Sequence, residues 1–141
     1  MLKGIPSILS PELLKILMEM GHGDEIVLAD GNFPAASTAQ RLIRLDGHDI
    51  PPVLDAVLKF FPLDTYVEQP VALMGVVPGD SYVPVIQDTY REIINKHDNS
   101  SGIQEMERYA FYDRAGKAYA IVATGESARY ANIILKKGVV I

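Results

Sequence analysis

The hydrophobic pattern changes period several times along the chain, and each change marks an element. Leu13, Leu14, Leu17 and Met18 fall on one helical face behind Ser10 as N-cap, Pro11 at the first helical position and Glu12 as an early acid, which predicts a helix closing at Gly21. From Glu25 to Asp30 the core Ile26-Val27-Leu28-Ala29 is continuous in apolar residues, as in a strand covered on both faces. Gly31 to Ala35 reads as a loop, and Arg41 to Leu45 as a short extended segment before the turn Asp46-Gly47-His48. Val53, Leu54, Val57, Leu58 and Phe61 repeat with helical spacing from Pro51-Pro52 until Pro62 stops them. Val71 to Val77 reads as a second buried strand closed by Pro78-Gly79-Asp80. Val85, Ile86, Tyr90, Ile93 and Ile94 mark a helix over about Val83 to Lys96, with Asp98 to Gly102 as its exit loop. Arg108 to Ala115 is amphipathic and reads as a short helix, followed by strands at Ala118 to Ala123 and Ile133 to Leu135. This alternation predicts an α/β fold, a three-layer α/β/α sandwich around a largely parallel or mixed central sheet. With no internal repeat, low-complexity tract or long linker, residues 1–141 are expected to form one domain.

Composition narrows the function classes. The chain has no cysteine, which excludes disulfides, thiolate chemistry and cysteine-ligated metal centres and fits a cytoplasmic address. The formal net charge of −5 is spread without a basic stripe, so no nucleic-acid partner is expected. No signal-type apolar stretch opens the chain and no run of about 18 apolar residues occurs, so no membrane association is expected. Asn99-Ser100-Ser101 marks a polar loop.

Two segments carry candidate chemistry. In Gly21-His22-Gly23-Asp24-Glu25, glycines flank an imidazole and free it to project, and the strand that follows ends on Asp30, where a parallel strand presents its chemistry. The same glycines would also serve a plain helix end and turn with His22 solvated. Near the C-terminus, Tyr130 and Asn132 stand just before an apolar strand and offer donors and acceptors suited to a neutral polyol, or to the protein's own backbone. Tyr112 is a secondary candidate for lining a site, whereas Tyr119 is expected in the core. His48 and His97 are expected to be solvated. His22, Asp24 and Asp30 do not make metal-ligand spacing, so no metal is expected. Glu25 and Asp30 fall on opposite strand faces and do not suit a glycosidase pair.

The segments Ser10 to Leu14 and Met20 to Glu25, Asp30, Phe33-Pro34, Ala110-Phe111-Tyr112 and Thr124 to Gly138 together resemble the L-fucose mutarotase and D-ribose pyranase family (RbsD/FucU) over nearly the whole chain. The resemblance implies the RbsD-like fold and a cofactor-free isomerase that interconverts cyclic forms of a monosaccharide. It implies His22 as the catalytic acid/base and Asp30, Arg108, Tyr130, Ala131 and Asn132 as substrate-binding residues, Ala131 through its backbone. Fucose-type members share the arginine at Arg108 and the aromatic run after it, which favours L-fucose over D-ribose. Asp30 could orient His22 or bind a sugar hydroxyl, and Arg108 could hold sugar oxygens or pair with Glu105 or Glu107. A D-ribose pyranase and a non-catalytic monosaccharide-binding protein are the competing readings. The resemblance further implies a ring-like homo-oligomer with sites at subunit interfaces, for which Phe60-Phe61 and Val139-Val140-Ile141 could supply contact surface. Gly31-Asn32 and the stretch Lys96 to Met106 depart from the family pattern.

Overall fold

The computed structural model describes residues 1–141, and its strands and helices form in the order that the apolar pattern sets. In chain order they are α1 (Pro11–Glu19), β1 (Glu25–Ala29), α2 (Ala35–Thr38), β2 (Leu42–Leu45), α3 (Ile50–Leu58), β3 (Val71–Met74), α4 (Val85–His97), β4 (Ile103–Met106), α5 (Arg108–Lys117), β5 (Ala120–Thr124) and β6 (Ile133–Lys136). All six strands join one sheet in the order β2-β5-β1-β6-β3-β4. The β2–β5, β5–β1 and β3–β4 pairs are parallel, while β6 runs antiparallel to both β1 and β3.

Strand alternation divides the core into two layers. Ile26 and Leu28 point into the larger layer with Leu13, Ile16 and Leu17 of α1, Val53, Leu54 and Val57 of α3, and Tyr90 and Ile94 of α4. Val27 and Ala29 point into the smaller layer with Ala35 of α2 and Phe111 and Ala115 of α5. The result is the three-layer α/β/α sandwich with a mixed sheet. Every residue from Ile26 to Ala29 is fully buried, which explains the continuous apolar run of β1.

Local signals act where the sequence places them. The Ser10 side chain accepts a hydrogen bond from the Leu13 amide at 3.1 Å and caps α1. Glu107 caps α5 by accepting from the amides of Tyr109 and Ala110, at 2.9 and 3.0 Å. The helix α1 stops at Glu19, and the left-handed residue of the turn that follows is Gly23 (φ 87°).

Other boundaries differ from the pattern. The strand β3 ends at Met74, so residues 75–84 form a loop above the sheet edge. The strand β4, Ile-Gln-Glu-Met, was hidden by its polar content; it is an edge strand paired only with β3, so an outer row of polar residues is tolerated. The helix α2 is a single turn that begins at Ala35, the last residue of the segment read as a loop, and covers residues to which the pattern assigns no element. No helix of the chain is long and apolar enough to cross a membrane.

One consequence of this topology governs the site. Strands β1 to β5 run the same way and end at one edge of the sheet, where β6 begins. The opposite edge gathers the start of β1 and the end of β6. Asp30 and Asn132 therefore share the first edge, and His22 lies at the second.

Candidate functional site

At the edge where β1 ends, a cavity of about 270 Å³ is lined by Asp30, Asn32, Phe33, Met74, Val77, Asp80, Arg108, Tyr112, Arg129, Tyr130 and Asn132. This is where open α/β sheets hold their ligands. Asp30, the first residue beyond β1, is only 7% exposed, and its Oδ1 accepts from the Asn32 amide at 3.0 Å. Burial pushes its carboxyl above the usual carboxylate range, against the amides of Asn32, Phe33 and Ala131, and the nearby Glu126 charge acts in the same direction as burial. The Asp30 amide donates to Asn132 Oδ1 at 2.8 Å, which ties the two segments together and leaves the Asn132 amide protons for the cavity.

Tyr130 is the one non-glycine residue with positive φ, at 56°, a conformation that persists where surrounding contacts enforce it. Those contacts are specific. Its hydroxyl donates to Asp80 Oδ2 at 2.6 Å and accepts from the Val77 amide at 3.3 Å. The buried Gln87 side chain donates to the carbonyls of Tyr130 and Met74, at 3.1 and 3.0 Å, and the Tyr90 hydroxyl donates to the Ala131 carbonyl at 2.7 Å. The hydrogen bond to Asp80 raises the Tyr130 pKa, and the Tyr130 hydroxyl, followed by the Tyr82 amide, lowers that of Asp80. Tyr130 is thus a protonated phenol whose proton is committed to Asp80, leaving oxygen lone-pair capacity toward a ligand.

Arg108 opens α5 at the cavity mouth, with its guanidinium 5.6 Å from the Tyr112 ring centroid and 5.5 Å from that of Tyr109. The acidic partners considered for it are engaged elsewhere: Glu107 caps α5, and Glu105 lies 3.6 Å from Arg91. Tyr112 packs edge-on against Phe33, with centroids 5.3 Å apart, and completes an aromatic wall. Ala131 does not line the cavity. It is fully buried, its carbonyl serves Tyr90, and its amide faces the Asp30 carboxylate, so it shapes the site from behind.

His22 stands at the other edge. The five residues of β1 separate it from Asp30, about 16 Å at roughly 3.3 Å per residue, so Asp30 does not orient it within one copy. Its Nε2 lies 3.0 Å from Oδ1 of Asp64, which also accepts from the Tyr66 amide at 3.0 Å, and its ring tilts against that of Tyr66 with centroids 5.1 Å apart. The imidazole is 44% exposed while the Asp64 side chain is only 4% exposed. The Tyr66 amide, and after it the His22 imidazole, hold the Asp64 carboxyl below the usual range despite burial. A buried carboxylate thus stands behind an exposed imidazole, an arrangement distinct from a solvated turn.

Sequence reasoning missed Asp64, Asp80, Gln87 and Tyr90, which meet His22, Tyr130 and Ala131 from 41 to 50 residues away along the chain. The remaining histidines, His48 and His97, are both exposed, as expected, and His97 Nε2 lies 2.7 Å from Asp55 Oδ1 at the surface. Tyr119 sits just before β5 at the rim of the core, its hydroxyl donating to Glu19 at 3.0 Å under the Arg41 guanidinium, so it is not the interior residue that its apolar neighbours suggest. Glu25 is locked in a part-buried pair with Arg114.

Comparison with known proteins adds a second kind of observation. The pattern of the RbsD / FucU transport protein family matches residues 3–140. The chain is 51% identical over 140 residues to the L-fucose mutarotase of Actinobacillus pleuropneumoniae serotype 5b (strain L20), covering 99% of this chain and 97% of that one. It is 54% identical over 145 residues to the fucose mutarotase of Homo sapiens, covering 98% and 94%. The crystal structure of the fucose mutarotase from Streptococcus pneumoniae in complex with L-fucose is similar with a TM-score of 0.94 and 58% identity, over 99% of this chain and 100% of that one.

Proposed function

The chain belongs to the RbsD/FucU family, and from that premise we propose that it is an isomerase, a fucose mutarotase whose sites are each shared between two copies of the chain. The observation that carries the shared site is the separation just described. The cavity at one sheet edge offers hydroxyl-binding groups and no imidazole, while the imidazole of the His22–Asp64 pair stands at the other edge, separated from that cavity by the span of β1.

Joining one edge to the opposite edge of the next copy is a head-to-tail contact, which closes into a ring when the rotation allows. Exposed apolar groups flank both edges, Tyr66 and Val67 beside His22 and Val83, Val85 and Tyr109 near the cavity, and Phe60 with Val139 to Ile141 adds further contact surface. A ring-like homo-oligomer in the cytoplasm is part of the same proposal.

Anomer exchange sets the roles. The bond between the anomeric carbon and the ring oxygen breaks, its electron pair goes to the ring oxygen, and that oxygen takes up a proton. The anomeric hydroxyl gives up its proton as the carbonyl forms. After rotation the aldehyde recloses on its other face and both transfers reverse, so no net proton is consumed. His22 of the neighbouring copy serves one of these transfers, a contribution worth typically ~10²- to 10⁴-fold. Asp30 accepts from a sugar hydroxyl and Asn132 donates to one. Arg108 holds sugar oxygens and favours the negative charge that develops during opening. Tyr112 and Phe33 give the apolar face of the ring a surface to lie on.

Saturation-transfer NMR between the α and β anomeric protons of L-fucose, with D-ribose in parallel, tests this reading. Faster exchange with L-fucose that disappears in His22→Ala is expected. Failure to accelerate either sugar would leave a binding protein in place of an enzyme.

A further inference from the structure

We propose that Asp80 is the positioning residue for Tyr130: by taking the phenolic proton it leaves the hydroxyl an acceptor only, so that this corner of the cavity recognises a sugar hydroxyl that donates. This rests on the reading of the cavity as the sugar site.

The contact is built by a turn. Val77-Pro78-Gly79-Asp80 is closed by the Asp80 amide, which donates to the Val77 carbonyl at 3.1 Å, with proline second and Gly79 third at φ 88°, the pattern of a type II turn. Its first and last residues converge on one atom. The Val77 amide donates to the Tyr130 hydroxyl oxygen at 3.3 Å, and Asp80 Oδ2 lies 2.6 Å from the same oxygen. A backbone amide only donates and an ionised carboxylate only accepts, so the phenolic proton points at Asp80. The other carboxylate oxygen, Oδ1, accepts from the Tyr82 amide at 2.9 Å, which keeps the group from turning away.

The loop that carries the turn is pinned to Tyr130 at both ends. Where it leaves β3, the Gln87 side chain joins the carbonyls of Met74 and Tyr130. Where it approaches α4, the Tyr82 ring lies 5.9 Å from the Tyr130 ring, with the Arg129 guanidinium 4.1 Å over Tyr82. These contacts hold Tyr130 at a positive φ that a bulky side chain seldom adopts, at the wall of the cavity that Asp80 also lines. The charged groups acting on the pair are Arg129, which favours the ionised form of both, and Arg108, which senses Tyr130. The hydrogen bond to Asp80 outweighs Arg129 at the phenol.

Asp80→Asn reverses the proton while keeping the turn. Its side-chain oxygen retains the Tyr82 amide, so its NH₂ group faces Tyr130 as a donor and the phenol must send its own proton elsewhere. In the anomer-exchange assay with L-fucose, Asp80→Asn should raise KM about 3- to 10-fold and hold kcat within about two-fold, as for one hydrogen bond lost from the bound sugar. Tyr130→Phe should do the same, and the two changes together should do no more than Tyr130→Phe alone, because Asp80 acts through the hydroxyl. An unchanged KM in Asp80→Asn, or an effect of Asp80→Asn that persists in full beside Tyr130→Phe, would overturn the proposal.

A readout without sugar separates this proposal from the fucose reading. 3-Fluorotyrosine placed at position 130 and followed by ¹⁹F NMR should ionise at lower pH in Asp80→Asn than with Asp80 in place. Ionisation at the same pH in both chains would also overturn the proposal. The spectrum judges Asp80 even if exchange of neither L-fucose nor D-ribose is accelerated, the outcome that sets the fucose reading aside, and it carries the test if Tyr130→Phe fails to fold.

Discussion

Two aspartates, one beyond each end of the most buried region of the sheet, are almost equally hidden: Asp30 is 7% exposed and Asp64 5%. Their carboxyls nevertheless shift in opposite directions. Asp64 has the Tyr66 amide and then the His22 imidazole to meet its charge and is held low. Burial raises Asp30, which has amides but no ion-pair partner and has Glu126 near. The contrast shows that burial alone does not define a role. Asp64 is engaged by protein partners, whereas Asp30 still has acceptor capacity that a ligand hydroxyl can satisfy. In the proposed reading, a binding end and a proton-transfer end occupy opposite edges of one sheet, and the span of β1 leaves each incomplete without a second copy.

The largest expected effect separates the two ends. His22→Ala should lower anomer exchange ~10²- to 10⁴-fold while L-fucose binding, measured by calorimetry, stays near wild type. Lost affinity with preserved turnover would reverse the assignment. Next in size, Arg108→Ala should weaken L-fucose binding about tenfold in the same calorimetry, in line with roughly 1.5 kcal/mol for a hydrogen bond to a charged group. Behind the cavity, Tyr90→Phe should cost about 1–3 kcal/mol in urea unfolding, because the buried Ala131 carbonyl loses its donor. No loss would mean that the Tyr130–Asn132 strip is held by other contacts.

The smallest effect is on pH dependence, and the two aspartates should give opposite signs. Asp64, depressed in the folded state, contributes stability that is present above its unfolded value near 3.9 and is lost as pH falls through the folded value. Asp30, raised in the folded state, contributes stability that is full below about 3.9 and is lost as pH rises through its folded value. Urea unfolding between about pH 3 and 7 should therefore show Asp64→Asn losing most of its relative stability at the upper end, and Asp30→Asn faring better there than at the lower end. Parallel profiles for the two variants would remove the contrast.

Much of this organisation is legible in the sequence, for identifiable reasons. Continuous apolar runs mark β1, β5 and β6 because those strands are buried on both faces, and Ser10-Pro11 marks α1 because the cap is local. The edge strand β4 lacks such a run, and α2 is too short to show a period. His22 and Asp30 stand close enough in the chain to look like neighbours, and only the direction of β1 shows that they face opposite edges. Asp64 meets His22 from 42 residues away and Asp80 meets Tyr130 from 50, through pairings in the folded chain that local spacing does not encode.

The most direct test of the shared site is complementation between two disabled chains. His22→Ala keeps the cavity, and a chain carrying both Asp30→Asn and Arg108→Ala keeps His22. Each should be inactive alone, and co-assembly in equal amounts should return anomer exchange to about one quarter of the wild-type rate, because random pairing joins an intact cavity to an intact His22 at about that fraction of contacts. Mixed assemblies that form and remain inactive would contradict a site built from two copies.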